Sequence, residues 1–109
     1  MFRILEDKIM VKHVILWKIK ENYSEEEKGR IKSEAKEALE ALVGVVPGLL
    51  ELHIQVESLA SSNADLMLDS VLESEEALKG YAIHPAHVKV ADEKVRPFME
   101  TRLCLDYEV

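Results

Sequence analysis

Over residues 49–57 the chain alternates: Leu50, Leu52, Ile54 and Val56 are apolar, and Glu51, His53, Gln55 and Glu57 between them are polar. Side chains on a strand point to opposite faces in turn, so a period of two marks a β-strand with one buried side. A helix would scatter the same residues around its axis. This segment requires a sheet, and a sheet with one apolar face requires a layer to cover it.

The rest of the chain supplies both. Residues 11–19, Val-Lys-His-Val-Ile-Leu-Trp-Lys-Ile, are β-branched and aromatic and read as a first strand. Ser24-Glu25-Glu26-Glu27 is a capping box, with Ser24 capping and Glu27 reaching back. Behind it Ile31, Ala35, Ala38, Leu39 and Leu42 recur at helical spacing, which predicts a helix of about five turns. Gly44, Pro47 and Gly48 end it. The strand over 49–57 is followed by a polar loop, 58–64, and by a second alternating stretch, 65–72. Ser74 opens a short helix that carries Ala77, Leu78 and Tyr81. Pro85 suits the first turn of another helix, where its missing N–H needs no partner. Pro97 stops that helix near Val95, and Thr101, Leu103, Leu105 and Tyr107 mark a last strand. The order strand, helix, strand, strand, helices, strand predicts an α+β fold, a ferredoxin-like sandwich with an antiparallel four-stranded sheet. It occupies residues 10–109 as one domain, and residues 1–9 read as an N-terminal extension.

Splitting the strands by parity gives two faces. Ile15, Trp17 and Ile19 share a face with His13; Leu50, Leu52, Ile54 and Val56, then Leu66, Leu68 and Leu72, and then Leu103 and Leu105 complete the face expected under the helices. The other face is mixed: Val14, Leu16, His53, Gln55, Met67, Asp69, Val71, Arg102 and Cys104. It is too apolar for open water and too polar for a dry core. Two such faces packed together bury each other, so a homodimer is expected.

Charge narrows the partners. Fourteen Lys and Arg against 21 Asp and Glu leave a net charge of −7, with no basic run. Such a surface repels phosphate backbones and anionic lipids, so neither nucleic acid nor membrane is an expected partner. No apolar run approaches the ~20 residues of a membrane span. The charged opening and the single cysteine, Cys104, fit a cytoplasmic protein without an internal disulfide.

Chemistry concentrates in Tyr81-Ala82-Ile83-His84-Pro85-Ala86-His87, which holds two of the four histidines. Imidazole exchanges protons near neutral pH, and a phenol can donate to an oxygen that gains charge. His13, among leucines by parity, has two readings: a neutral core histidine bonded to a backbone carbonyl, or one wall of a cleft shared with Tyr81, His84 and His87. His87 would then be a general base toward a carbon beside a carbonyl, Tyr81 would steady the enolate oxygen, and His13 would orient the substrate. Trp17 is a core residue that could also floor such a cleft. Against this, His84 can simply cap its helix while His87 packs on the sheet. His84 and His87 with His13 as third ligand make a poor zinc set, since zinc wants three or four ligands and nothing else converges. No metal or other cofactor is expected. Gly29, Gly44, Gly48 and Gly80 form no phosphate-binding loop.

Lys12-His13-Val14, the turn at Pro47-Gly48, the Tyr81–His87 element and Leu105-Asp106-Tyr107 together make the chain resemble the stress-responsive A/B barrel (Dabb) family over about residues 10–108. The resemblance implies ferredoxin-like protomers whose sheets pair into a dimeric α/β barrel. It also implies functions that range from stress-associated proteins to polyketide-cyclising enzymes that perform an intramolecular aldol condensation. In the cyclases a tyrosine and the second histidine of the motif are the catalytic pair; by position these are Tyr81 and His87, with His13 matching a further pocket histidine. Another pocket histidine of the cyclases corresponds to Leu66, which makes the expected cleft more apolar. The expectation is thus a small carbonyl-type ligand bound by His13, Trp17, Leu66 and His84, with Tyr81 and His87 catalytic. The alternatives are a non-catalytic stress or assembly protein, and, by analogy of fold, a cofactor-free oxygenase. A cavity of ~300 Å³ reached by His13, Tyr81 and His87 would favour ligand binding.

Overall fold

A computed structural model describes residues 9–109. The expected extension over 1–9 lies, but for Ile9, outside the described residues. Strand β1 (Val11–Ile19) leads to helix α1 (Glu25–Glu40), strands β2 (Leu49–Gln55) and β3 (Leu66–Leu72), helices α2 (Glu75–Ile83) and α3 (Pro85–Val90), and strand β4 (Met99–Glu108). Between α3 and β4 the helix widens through Ala91–Val95 and then tightens through Arg96–Phe98. The strands run in the order β2-β3-β1-β4, and every neighbouring pair is antiparallel. The long apolar strand β1 is therefore central, as its composition requires.

The helix starts form where the capping signals lie. Ser24 Oγ accepts from the Glu27 amide at 3.1 Å while Glu27 Oε1 accepts from the Ser24 amide at 2.9 Å, which closes the capping box. Ser74 caps α2 in the same manner, at 3.0 Å from the Ala77 amide. Gly48 sits just before β2 with φ +80°, and a Cβ there would stand 2.5 Å from the Ala77 side chain. Glycine is needed on both counts, and its bareness lets α2 approach the sheet. At the edge of the sheet the exposed amide and carbonyl of Ile54 are taken by Glu40 (2.9 Å) and Lys36 (2.9 Å) of α1. Side chains thus occupy part of an edge that would otherwise invite another strand.

The core lies between the helices and one face of the sheet. Ile15, Trp17 and Ile19, Leu52 and Ile54, and Leu66, Leu68 and Leu72 pack against Ile31, Ala35 and Leu39 of α1 and Tyr81 of α2. His13 and Ser70 are the buried polar residues among them. Ser70 donates from its hydroxyl to the His13 carbonyl at 2.9 Å, so the hydroxyl is satisfied.

Two parity expectations fail. Leu50, expected inward, is exposed, because the register shifts between Leu49 and Glu51 and leaves Leu50 in a bulge while Leu49 takes the buried place. Leu103 and Leu105, also expected under the helices, are each 63% exposed. The pairing gives the reason: Arg102, Cys104 and Asp106 stand opposite Trp17, Ile15 and His13, and so share their helix-side face. Leu103 and Leu105 stand opposite Leu16 and Val14 and point away from the helices, as does Tyr107 opposite Lys12. The bare face is therefore more apolar than the sequence suggested. The helix-side face is more polar along β4.

Candidate functional site

Under α2 and α3 a cavity of about 140 Å³ opens between the helices and the β1–β4 half of the sheet. His13, Tyr81 and His87 all line it, with Ile15, Trp17 and Leu68 as apolar wall and Arg96 and Arg102 among the polar groups. Tyr81 is the centrepiece. Its ring is 2% exposed and lies between two imidazoles, edge-on to His13 at 5.9 Å and tilted over His87 at 4.1 Å. These contacts follow from the chain: β1 supplies His13 by parity, and the turn at His84-Pro85 brings His87 of α3 back over Tyr81 of α2.

Hydrogen bonds fix the tautomers. His87 Nδ1 lies 3.3 Å from the Ala82 carbonyl. A carbonyl can only accept, so this nitrogen carries the proton and Nε2 keeps its lone pair. Burial lowers the His87 pKa below its ordinary 6.5; the Ala82 bond opposes this, and the charges of Arg96, His13 and Arg102 add to it. The imidazole is thus a free base at neutral pH. His13 Nδ1 lies 2.5 Å from Asp106 Oδ1, across the β1–β4 pair, and donates to that carboxylate. The pairing orients the His13 ring. Burial pushes the Tyr81 phenol far above the ordinary 10, with the charge of Arg102 opposing the rise. Tyr81 remains a proton donor throughout the physiological range.

The expected site residues separate. His13, Trp17, Tyr81 and His87 meet at the cavity. Leu66 is buried beside Trp17 across the β1–β3 pair and does not line it. His84 does not line it either: its Nδ1 accepts from the Ala86 amide at 3.1 Å and caps α3. Asp106, Arg102 and Arg96 were missed. The β4 register could have found the first two, but an apolar alternation that serves a second interface hides that register. His13 Nδ1, Cys104 Sγ and Asp106 Oδ1 also lie within 4.8 Å of one another, the one such group of potential metal donors among the described residues. Cys104 Sγ is 3.7 Å from His13 Nδ1 and 3.5 Å from Asp106 Oδ1. Burial and the Asp106 charge push the Cys104 thiol up. The cluster acts here as a hydrogen-bonded support for His13.

Comparisons with known proteins agree with this architecture. A dimeric protein of unknown function and ferredoxin-like fold from Bacteroides fragilis superposes with a TM-score of 0.86 at 30% identity, over 92% of this chain and 96% of that one. A Dabb family protein with a ferredoxin-like fold from Mesorhizobium loti gives 0.71 at 20% identity, over 92% and 96%. A hydroxynitrile lyase from Passiflora edulis gives 0.73 at 16% identity, over 94% and 95%, a likeness of fold. Comparison with curated proteins returns no match. No helix among the described residues is long and apolar enough to cross a membrane. Residues 11–109 match the Stress Responsive A/B Barrel Domain, and the chain belongs to that family.

Proposed function

We propose that the protein is a homodimeric barrel whose helix-side cavity binds a small carbonyl compound and removes a proton from the carbon beside the carbonyl. The observation that carries this is the stack of Tyr81 between His13 and His87 on one cavity wall. His87 Nε2 takes the proton, the electron pair moves onto the carbonyl oxygen, and the Tyr81 hydroxyl donates to that oxygen. His13, held by Asp106, positions the ligand. The enolate carbon then adds to a second carbonyl, and the alkoxide so formed takes back the proton from His87, which completes a cyclisation; the reverse step is the carbon–carbon cleavage of a lyase. These steps use only side chains already in place, so no cofactor enters the reading. At about 140 Å³ the cavity falls short of the ~300 Å³ that would favour ligand binding by size, so the reading rests on the three rings and applies to a compact substrate, not an extended polyketide. Cys104 has no disulfide partner, in keeping with a cytoplasmic setting.

The dimer is supported by the apolar bare face, where Leu16, Leu103 and Leu105 stand in water in the protomer. The same face favours a second reading, a non-catalytic stress-response or assembly protein in which the barrel itself is the product.

Hydrogen–deuterium exchange at the α-carbon of small ketones, followed by NMR in D₂O, separates the two readings. Exchange above the buffer rate that His87→Ala abolishes supports catalysis. Exchange equal in wild type, His87→Ala and buffer excludes the general-base role and leaves the assembly reading.

A further inference from the structure

The cavity wall has the opposite electrical character to the rest of the molecule. The chain carries 21 acidic residues and a net charge of −7, yet no Asp or Glu lines the cavity. Arg96 and Arg102 do. Two acids stand beside lining residues: Asp106 accepts from His13, and Asp92 pairs with Arg96 at 2.5 Å, which leaves Arg102 as the lining arginine without an acid partner. Among the described residues Arg102 makes no ion pair, and its polar neighbour is the Cys104 thiol two residues on. Arg102 projects from β4 opposite Trp17, on the helix-side face and at the cavity's open edge. Arg102 is exposed, so water solvates its charge, and a guanidinium beside an apolar wall with no acid in the lining is an open arrangement. It is the arrangement that a planar anion completes, since the fork of N–H groups matches a carboxylate in a bidentate manner.

We propose that the ligand is a small keto acid, with its carboxylate held by Arg102 at the cavity mouth and its carbonyl directed inward to Tyr81 and His87. The proposal rests on the reading of the cavity as a carbonyl-binding site and adds the second functional group. Geometry gives the division of labour. The arginines follow the wide turn and β4 and form the mouth; Ile15, Trp17 and Leu68 form the apolar wall that takes the carbon chain; the stacked rings complete the wall. The arginine charges act on the inner groups, since they disfavour the protonated form of His87. A bound carboxylate offsets those charges, so His87 becomes a stronger base once the substrate is seated.

The test compares C4–C6 oxo acids with the methyl ketones of matching length, by calorimetry at two salt concentrations. The acids should bind about tenfold or more tightly than the ketones in wild type, and more weakly at high salt. Arg102→Gln should remove that preference and leave ketone affinity and thermal stability unchanged, whereas Arg102→Lys, which keeps charge without the fork, should restore part of it. Arg30→Gln, on α1 and outside this cavity, serves as the charge control and should bind like wild type. Equal affinity for acid and ketone in wild type, or an equal loss in Arg30→Gln, overturns the carboxylate assignment while the carbonyl site stands. Binding of neither class overturns both.

Discussion

The two faces of one sheet handle unlike residues in opposite ways. On the helix-side face most polar groups are engaged within the protomer: Ser70 donates to the His13 carbonyl and His13 to Asp106, while His87 of α3 above them donates to the Ala82 carbonyl and Arg102 faces the cavity. On the bare face the apolar groups are many and uncovered, with Leu16 39% and Leu103 and Leu105 each 63% exposed. The first face is complete within a protomer and holds the cavity. The second is complete only when another surface covers it. Polar residues under the helices therefore mark chemistry, and apolar residues away from them mark association.

The strongest way to break the comparison is to make the bare face polar. A leucine taken fully out of water contributes roughly 1.5–3 kcal/mol, and these two are exposed by about two-thirds, so the four copies in a two-fold dimer contribute roughly 4–8 kcal/mol. Leu103→Glu with Leu105→Glu also sets like charges against each other. The double variant should be monomeric by light scattering at concentrations where wild type is a dimer, with its circular dichroism spectrum retained. A double variant that dimerises like wild type assigns the interface elsewhere.

The opposite face breaks at Gly48. Alanine there meets both a left-handed backbone and the Ala77 side chain at 2.5 Å. The cost is about 2–4 kcal/mol. At 4–8 °C per kcal/mol for a domain near this size, that lowers Tm by roughly 8–32 °C. The displaced element is α2, which carries Tyr81, so ligand binding should fall with Tm. The bare face is untouched, and association of the protein that remains folded should survive.

Most of the fold was legible because its signals are local. The Ser24–Glu27 box, the alternation over 65–72 and Pro85 at a helix start each state their element within a few residues. The site was half legible. His13 followed from parity within β1, and Tyr81 and His87 from their motif. Asp106 and Arg102 depend on how β4 is laid against β1, which is a pairing between distant segments. Leu103, Leu105 and Tyr107 show the same alternation whichever face they are buried on. An apolar strand buried at an interface between chains therefore reads like one buried in a core, and it carried the register reading to the wrong side. Leu50 failed for a different reason: a bulge adds a residue, and parity arguments hold only up to the first one.

The chemistry of the helix-side face can be sharpened without disturbing its packing. Tyr81→Phe keeps the ring between the imidazoles and removes the donor. A hydrogen bond to a developing charge is worth roughly 1.5–3 kcal/mol, so α-proton exchange should slow about 10- to 100-fold with little change in Tm. The pH profile gives the sign of the base. Free imidazole is the active form and burial lowers its pKa, so the wild-type rate should rise with pH through a midpoint below 6.5 and be level by neutrality. A midpoint above 6.5 would show that burial does not govern His87.

The smallest effect tests the boundary between structure and site within the motif itself. His84 and His87 are three residues apart, yet His84 accepts from the Ala86 amide and His87 lines the cavity. His84→Ala removes the cap from α3 and should cost about 1 kcal/mol, a Tm loss of roughly 4–8 °C. Asparagine is itself a good capping residue, so His84→Asn should recover most of that loss. In both variants the affinity for a cavity ligand should match wild type, because the ring that changes does not face the ligand. An affinity loss in His84→Asn, whose cap is intact, would move His84 into the site and erase the division. If only stability responds to His84 and only ligand binding to Tyr81, a seven-residue motif divides between holding the helix and facing the substrate.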